Sequence, residues 1–202
     1  MKFASLTIFL LLSFVGFSKA QADEQGELKR FREMRDKSFR SLQETPLTGE
    51  NFLKFKGLEY FDMNEKFIVK ARLEKTEDAQ IFMMPTSRGT TRKYFKRGVL
   101  TFELDGRSFS LTAFQSESAK KDGTLFIPFR DLTNSKETYG AGRYLYIKVP
   151  ADADAVLDFN FAFNPSCAYG NEQFSCAIPP RENFLQIEIK AGEKIFSDAA
   201  QK

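Results

Sequence analysis

The sequence predicts a mostly β fold, either an antiparallel sandwich or an open barrel, with one helix at its N-terminal end. Three observations support this prediction. Apolar residues alternate with polar ones in several short segments, an Asp-Gly pair joins two of these segments, and helical spacing is concentrated in residues 23–42. Short strands separated by turn residues favour a sandwich or a barrel over a layered α/β fold.

The helix is predicted in residues 23–42. Apolar residues recur there at intervals of three or of multiples of four, within an otherwise polar segment. This spacing is typical of an amphipathic helix that packs one face against a domain. Pro46 ends the region, and residues 51–55 add a further helical turn. The apolar set is Leu28, Phe31, Met34 and Leu42, with Phe39 to one side.

A hairpin centred on Asp105-Gly106 is the strongest strand signal. Residues 100–104 and 109–113 alternate on either side of the pair, and Asp-Gly between alternating runs is typical of a two-residue turn. Pro128 lacks a backbone donor, which places its strand at an edge or at a bulge. Further strands are predicted at 67–73, 124–129, 143–149, 156–163 and 184–190.

Residues 1–20 have the pattern of a cleavable secretory signal peptide. Met1-Lys2 is positively charged, residues 3–17 are almost wholly apolar, and small residues precede the cleavage point. The apolar run is short for a spanning helix, which needs about 20 residues, and no later stretch is long enough to span a membrane. We therefore expect an exported protein, periplasmic or secreted, with one globular domain at 21–202 that ends in a flexible tail at 193–202.

The charge of the mature chain is close to balanced. The full sequence carries a formal net charge of +3, and two of its lysines, Lys2 and Lys19, belong to the predicted signal peptide. A near-neutral surface gives no reason to expect nucleic acid as a partner. The basic run at 92–97 contains Tyr94 and Phe95, so we interpret it as a solvated strand or loop face rather than a polyanion site.

The sequence contains no histidine, which excludes several kinds of catalysis. Ser-His-Asp and Cys-His mechanisms need imidazole as the base, and zinc and non-haem iron sites with histidine ligands are excluded too. The chain also lacks a G-x-S-x-G elbow, a phosphate-binding P-loop and a G-x-G-x-x-G fingerprint. No metal or cofactor is therefore predicted, and acid–base chemistry would fall to Asp, Glu, Tyr or Lys.

The two cysteines of the sequence, Cys167 and Cys176, lie nine positions apart. In an oxidising compartment the simplest expectation is a disulfide between them. A redox or metal-binding role is the alternative, although two thiolates without histidine make a poor metal site.

Residues 129–193 hold polar and glycine motifs at a density that secondary-structure propensity does not explain. Gly140 and Gly142 allow a tight turn or a close backbone approach just before Arg143. The motifs include Phe129-Arg130-Asp131, Glu137-Thr138-Tyr139-Gly140, Gly142-Arg143-Tyr144-Leu145, Asp158-Phe159-Asn160, Asn164-Pro165, Pro179-Pro180, Glu182-Asn183 and Ala191-Gly192-Glu193.

This run of motifs resembles a bacterial family known as domain of unknown function 1684, and the likeness covers nearly the whole mature chain. Earlier pieces also fit, at 55–61 and 98–102. Two positions depart from the family pattern, since Phe163 stands where tyrosine is usual and Ala177 where proline is usual. The resemblance implies a fold and a family but no reaction.

The same segment supplies candidate ligand-binding residues. Tyrosine faces suit stacking on sugars, and Asn and Arg side chains suit hydroxyls and carboxylates. The first hypothesis is therefore a binding module for a polar small molecule or glycan. A structural role is open as well, in which Arg143 pairs with Asp131 or Glu137 to hold a loop and the Asn side chains satisfy backbone groups. The candidates are Arg130, Tyr139, Arg143, Asn160, Asn164 and Tyr169.

The alternative functions use other features of this segment. A histidine-independent hydrolase or lyase would take Asp131, Glu137 and Asp158 as acid and base, at a separation of about 5–10 Å for a glycosidase. A continuous strand at 156–163 would point Asp158 and Asn160 away from the core. A protein-interaction or structural module of the cell envelope is the third hypothesis, and the oligomeric state stays open.

Overall fold

A curled, mostly antiparallel sheet forms the body of the domain, with a helix at its N-terminal end. The computed structural model describes residue 23 and residues 25–78 and 80–196. The predicted signal peptide, 1–20, and the last part of the predicted tail, 197–202, lie outside the described residues. Helix α1 spans 25–39 and α2 spans Gly49–Lys54. The strands are β1 (Ile68–Lys75), β2 (Ile81–Pro85), β3 (Thr91–Leu104), β4 (Arg107–Gln115), β5 (Thr124–Asp131), β6 (Arg143–Lys148), β7 (Asp154–Asp158) and β8 (Phe184–Leu185).

The order of strands in the sheet is β6-β5-β4-β3-β1-β7, with β2 paired to β3 and β8 paired to β5. The β5–β8 pair is parallel. Beyond β7 the chain returns to β6, where the backbones of Tyr144 and Phe163 exchange hydrogen bonds of 2.8 and 3.0 Å. The predicted mostly β fold with an N-terminal helix is confirmed, and the curled single sheet corresponds to the open-barrel alternative.

Helix α1 packs against the domain with Leu28 and Phe39 buried, and the ring of Phe31 lies 5.2 Å from that of Phe161, centroid to centroid. The spacing assigned Met34 and Leu42 to the same face, but Met34 is 63% exposed and Leu42 lies exposed beyond the end of the helix. The packed face differs because Arg35 turns inward to reach a buried carboxylate. In the described part of the chain, neither helix is long and apolar enough to cross a membrane.

The hairpin predicted at Asp105-Gly106 is confirmed. Leu104 pairs with Arg107 across the turn, and both turn residues have positive φ angles, 52° and 69°, as a type I′ turn requires. Strand β3 contains the basic run 92–97, so that run is a strand face, as interpreted. Strand β2 escaped prediction because 81–85 is a mainly apolar run without alternation.

Strand β5 lies inside the sheet and not at the edge that Pro128 predicts. The strands β4 and β5 nevertheless part near this proline, because their paired register is confined to Phe114 and Phe126. The Asn183 side chain bonds to both strands in the gap. It accepts from Thr112 N at 2.8 Å and donates to Thr112 O at 2.9 Å and to Pro128 O at 2.8 Å. A side chain thus replaces ladder bonds where the proline nitrogen cannot donate.

Strand β7 is shorter than predicted. It ends at Asp158, whose carboxylate accepts from Asn160 N at 2.8 Å and begins a 3-10 turn over Phe159–Phe161. Such a side-chain bond competes with the strand ladder. The prediction that 156–163 forms one strand was therefore wrong beyond Asp158.

The strand predicted at 184–190 is also shorter, since β8 holds two residues. The backbone of Ile189 bonds to side chains instead of to a neighbouring strand. Its N–H donates to Asp131 Oδ1 at 3.2 Å, and its carbonyl accepts from Arg143 at 2.8 Å. The segment after β8 is therefore held on the sheet by these side chains in addition to backbone bonds, such as that from Leu132 N to Ile187 O at 3.0 Å.

The beginning of the predicted tail, 193–202, packs against the domain. Glu193 is 1% exposed, and Ile195 N donates to Glu137 O at 2.8 Å. The ring of Phe196 lies 5.4 Å from the ring of Tyr169, centroid to centroid. The packed domain therefore extends to Phe196.

Apolar side chains pack on both faces of the sheet. Along β5, Leu125 and Ile127 belong to the inner core, whereas Phe126 between them belongs to an outer aromatic cluster. A smaller cluster around Phe39 and Tyr169 lies where α1 packs. The outer cluster holds Met84, Phe114, Phe126, Tyr144 and Ala177, with Phe82, Tyr94 and Phe163 packed against it.

Cys167 and Cys176 form the predicted disulfide. The loop that it closes is also tied to the turn after β2. Cys176 N donates to Ser87 Oγ at 3.1 Å, and Ser87 N donates to Cys176 O at 2.9 Å. These contacts place the loop at one end of the outer aromatic cluster, since the neighbouring Ala177 packs within it.

Candidate functional site

Arg143, one of the predicted ligand-binding residues, is wholly buried, with 0% of its surface exposed. Its guanidinium donates to Asp131 Oδ2 at 2.9 Å, to Ile189 O at 2.8 Å and to Ala191 O. Burial lowers the pKa of Arg143, and the charge of Asp131 opposes this shift. The structure thus shows the structural alternative for Arg143: its pair with Asp131 holds the C-terminal segment against β5 and β6, and it offers no surface to a ligand.

Gly142 allows the arginine to enter the interior. Its φ angle is 101°, and a Cβ atom at this position would lie 2.5 Å from the carbonyl oxygen of Phe129. A side chain does not fit there, so the close backbone approach predicted before Arg143 is present.

Asn160 is also buried, and it acts as a clamp. Its amide accepts from Asn64 N at 3.0 Å, donates to Asn64 O at 3.1 Å and donates to Asp158 Oδ1 at 2.8 Å. Because β7 ends at Asp158, the Asn160 side chain turns inward instead of facing away from the core. Burial raises the pKa of Asp158, and the bonds from Asn160 and the charge of Arg32 oppose this.

The three candidate acid–base residues are separately engaged. Asp131 pairs with buried Arg143, Glu137 Oε1 lies 2.9 Å from Lys190 Nζ at the surface, and Asp158 caps the turn described above. Among the described residues, no donor bonds to more than one of these three carboxylates. Across the described ranges, no three Cys, Asp or Glu side chains are grouped so as to hold a metal ion.

Arg130 and Tyr139 lie away from the other candidates. Arg130 is exposed, with its guanidinium 5.7 Å from the centroid of the Phe184 ring. Tyr139 is partly buried and lines a shallow hollow of about 450 Å³ beside Arg88 and Cys167. The structure therefore does not bring the six predicted ligand residues into one site.

A buried polar cluster centres on Glu193. Its carboxylate accepts from Arg35 at 2.8 Å, from Asn164 N at 3.2 Å, from Asn164 Nδ2 at 3.1 Å and from the Tyr169 hydroxyl. Burial acts to lower the pKa of Arg35, but Glu193, Tyr169 and Tyr60 together outweigh burial, so the pKa is raised. The arginine of α1 is thus fixed as a cation, and Asn164 and Tyr169 are held in place beside it.

Arg35, Asn164 and Tyr169 line a cleft of about 370 Å³ between α1, the disulfide loop and the outer face of the sheet. We call it the aromatic cleft. The wall formed by the sheet carries five aromatic rings. These rings are Tyr94, Phe126, Tyr144, Tyr146 and Phe163.

The five rings form one continuous surface. Tyr144 and Tyr146 are two residues apart on β6 and share a face, and Phe126 lies directly opposite Tyr146 on β5. The centroid of Tyr146 is 5.2 Å from that of Phe126 and 5.8 Å from that of Phe163, while Tyr94 stacks on Phe126 at 5.3 Å. Tyr146 remains 49% exposed, and Tyr94 and Phe163 are partly exposed, whereas Phe126 and Tyr144 are buried. Three of the five rings are therefore open to a ligand.

Polar groups without protein partners lie beside the rings. The Asn164 side chain is 1% exposed, and its Oδ1 atom has no hydrogen-bonding partner although its Nδ2 atom has two. Arg92 is exposed on β3 and lines the cleft, and its guanidinium forms no hydrogen bond or ion pair with any described residue. Glu44 is the acidic residue among those that line the cleft.

The phenol groups of the cleft stay protonated at neutral pH. Burial raises the pKa of Tyr94 and of Tyr144, and it raises the pKa of Tyr146 to about 12. The positive charge of Arg92 opposes the shift at all three. The wall therefore offers hydroxyl donors and no phenolate.

A larger hollow of about 840 Å³ lies on the surface of β1, β3 and β7. The charged side chains that line it, such as Lys70 and Glu103, are all exposed. It contains no unpartnered buried polar atom among the described residues. The smaller aromatic cleft is therefore the stronger candidate site.

Sequence reasoning found two residues of the cleft and missed most of it. Asn164 and Tyr169 were among the predicted ligand residues. The missed residues could have been paired by their spacing, since Arg92 and Tyr94 on one strand, and Tyr144 and Tyr146 on another, occupy alternate positions and share a face. Nothing in the sequence indicates that these two strands contribute to one wall.

Comparison with known proteins identifies the family. The model of the family described as "Protein of unknown function (DUF1684)" matches residues 53–194, so the chain belongs to this family. Helix α1, which supplies Arg35 to the cleft, lies before the matched range. A search of curated proteins finds no match.

The fold is shared with a solved structure. The chain is similar to an uncharacterized protein of Haloarcula marismortui, whose structure was determined in solution by NMR. The two are 34% identical, the likeness covers 90% of this chain and 98% of the other, and the TM-score is 0.71. Neither comparison indicates an activity.

Proposed function

We propose that this member of the DUF1684 family binds a polar small molecule or glycan in the aromatic cleft. The observation that supports this most strongly is the joined surface of five aromatic rings beside polar groups that lack protein partners. A sugar ring presents apolar C–H faces that pack on aromatic rings, and hydroxyls at its edge that need polar partners.

The size of the cleft suits such a ligand. Its volume of about 370 Å³ falls in the range of about 300–1,000 Å³ that is common for small-molecule sites. Ligand sites also place a few fixed polar groups beside apolar walls, and three polar residues of this cleft, Arg35, Asn164 and Tyr169, are held by Glu193. The site is therefore preorganised on the side of α1.

The unpartnered oxygen of Asn164 indicates what the ligand should donate. Both hydrogens of its amide are used by Glu193 and by Lys194 O, so the orientation of the amide is fixed. A buried acceptor without a partner costs about 1–3 kcal/mol. Because this oxygen has almost no exposed surface, a ligand hydroxyl would bond to it only after neighbouring side chains move aside.

Binding is favoured over catalysis because the acidic residues are placed elsewhere. A glycosidase needs two carboxyl groups beside the substrate, whereas Asp131, Glu137 and Asp158 do not line the cleft and Glu44 is its single carboxylate. No observation favours the hydrolase or lyase alternative, and none favours an interaction or structural module of the cell envelope.

The site of action proposed here is outside the cytoplasm, in the periplasm or the medium. The signal-peptide pattern of residues 1–20 and the Cys167–Cys176 disulfide support this, because disulfides persist in oxidising compartments. N-terminal sequencing of the protein purified from its host should begin at Gln21. A mature chain that begins at Met1 would contradict export by cleavage.

The proposal is tested by screening the oxidised domain against glycans and organic acids by isothermal calorimetry and thermal shift. Tyr146→Ala removes an exposed ring of the cleft and should weaken binding about tenfold. Tyr139→Ala is the matched control, because Tyr139 is a partly buried tyrosine outside the cleft. Equal losses in the two variants, or the absence of any binding, would contradict a ligand site in the cleft.

A further inference from the structure

Arg92 lines the aromatic cleft and has no counter-ion among the described residues. Arg92 and Tyr94 are two residues apart on β3, and both pair with β2 through the backbone. Their side chains therefore project from the same face of the sheet, where the aromatic cleft lies. The planar guanidinium group matches a carboxylate in size and hydrogen-bonding geometry.

Two phenol groups of the same wall are also free to donate. The hydroxyl of Tyr144 donates to Ala177 O at 2.6 Å, whereas those of Tyr94 and Tyr146 form no hydrogen bond with any described residue. Arg92 lines the same cleft as these three tyrosines. The wall thus offers a guanidinium and two hydroxyl donors together.

The other charges of the cleft do not neutralise this wall. Arg35 is already paired with Glu193 at 2.8 Å. Glu44 lies on the chain segment after α1, not on the sheet, and it forms no ion pair with Arg92. Among the residues that line the cleft, those on the sheet wall include no carboxylate.

We infer that the ligand of the aromatic cleft is an acidic sugar, whose carboxylate binds Arg92 while its ring packs on the aromatic surface. This inference rests on the proposed function and adds the charge of the ligand to it. A free inorganic or organic anion would use the donors but leave the five rings in water. A neutral sugar would use the rings but leave Arg92 without a counter-ion.

The test compares matched pairs of sugars that differ by one carboxylate. Galacturonic acid with galactose, and glucuronic acid with glucose, together with their disaccharides, are titrated into the oxidised domain by calorimetry. Acetate serves as the probe for a simple anion. The uronic acids should bind about tenfold more tightly than their neutral parents, as a charge-assisted hydrogen bond predicts, and this preference should decline as salt is raised.

Arg92→Gln should remove the preference for the acid and leave the weaker binding of neutral sugars unchanged. Lys93→Gln is the matched control, because it removes one positive charge from the neighbouring position of β3, outside the residues that line the cleft. Tyr146→Ala should weaken acidic and neutral sugars alike. These three variants separate the carboxylate contact from the ring contact.

Other outcomes overturn the inference in recognisable ways. If acidic and neutral sugars bind equally, or if Arg92→Gln binds like the native protein, the acidic class is wrong, although a loss in Tyr146→Ala would still support the cleft. If acetate binds as tightly as the uronic acids, the site is a simple anion site. If no sugar or acid binds, the inference and the proposed function fail together.

Discussion

Two arginines of the domain lie in opposite environments. Arg143 is wholly buried and bound to Asp131 and to backbone carbonyls of the C-terminal segment. Arg92 is exposed beside the aromatic cleft, and its guanidinium has no partner among the described residues. Removing a charge from water is expensive unless partners replace the water. A buried, paired arginine therefore has a structural role, whereas an unpartnered arginine at a cleft remains available to a ligand.

The two arginines also lie in different kinds of sequence, one rich in motifs and the other an alternating strand. Arg143 lies in a segment dense in glycines and polar motifs, and these build the internal supports of the domain, including the Asn160 clamp and the Asn183 bridge between β4 and β5. Arg92 lies in an alternating strand that looks ordinary. In this protein the conspicuous motifs specify the fold, and the candidate site is built largely from unremarkable strand positions.

The largest effect is expected from Arg143→Ala. Asp131 would be left buried without its partner, which should lower the free energy of unfolding by about 3–5 kcal/mol. Urea denaturation measures this, with the exposed Arg130→Ala as the control, expected to change stability by less than about 1 kcal/mol. The double change Arg143→Met with Asp131→Leu should recover part of the loss, because no unpaired charge remains. Similar losses of stability for Arg143→Ala and Arg130→Ala would show that the buried arginine matters no more to the fold than an exposed one.

Asn183→Ala should follow in size. The substitution leaves Thr112 N and the carbonyls of Thr112 and Pro128 without their partner, and these groups lie inside the sheet. The free energy of unfolding should fall by about 3 kcal/mol. Asn171→Ala is a suitable control, since its side chain accepts a local bond from Gln173 N at the surface. A change no larger than that of the control would mean that the two strands close without the asparagine.

A smaller effect, dependent on pH, is expected at the cleft wall. Burial raises the pKa of Tyr144, so above about pH 10 the folded protein holds this proton while the unfolded chain releases it. The folded state then binds more protons than the unfolded state, and stability falls as pH rises, by about 1.4 kcal/mol per pH unit. Urea denaturation between about pH 9 and 11.5 should show a shallower decline for Tyr144→Phe. Parallel declines in the two proteins would rule out this contribution of Tyr144.

The smallest effect on stability is expected from Arg92→Gln. Because the guanidinium has no protein partner, the free energy of unfolding should change by less than about 0.5 kcal/mol. The same urea measurement applies, and the result sharpens the comparison with Arg143→Ala. A loss above about 1 kcal/mol would show that Arg92 supports the fold, and it would then be a poor candidate for a ligand contact.

Local patterns predicted much of the fold. The alternation around Asp105-Gly106 identified the hairpin because the turn and its strands are neighbours in sequence. The same kind of reasoning extended β7 through 156–163, although Asp158 ends the strand by binding Asn160 N. It also placed Pro128 at an edge or at a bulge, because the bridging side chain of Asn183 comes from 55 residues further along the chain. Long-range contacts of this kind leave no periodic signal.

The candidate site was less predictable for the same reason. Asn164 and Tyr169 were selected because they lie in the dense motif segment, and both line the cleft. Arg35 comes from a helix that looked merely amphipathic, and Tyr146 from a strand whose partner could not be known. The sequence shows which residues share a face of one strand, but the meeting of β3, β6 and α1 depends on the sheet order.

The disulfide makes the structure of the aromatic cleft depend on the redox conditions to which the protein has been exposed. Cys176 lines the cleft, and the loop closed by Cys167 and Cys176 carries Tyr169 into it. Without the crosslink, the disulfide loop would be held at the cleft only by weaker hydrogen bonds, such as those to Ser87. A ligand survey on protein made in a reducing cytoplasm, or stored with thiol reagents, would therefore test a cleft whose disulfide loop is loosened. The purification buffer is thus part of the binding experiment.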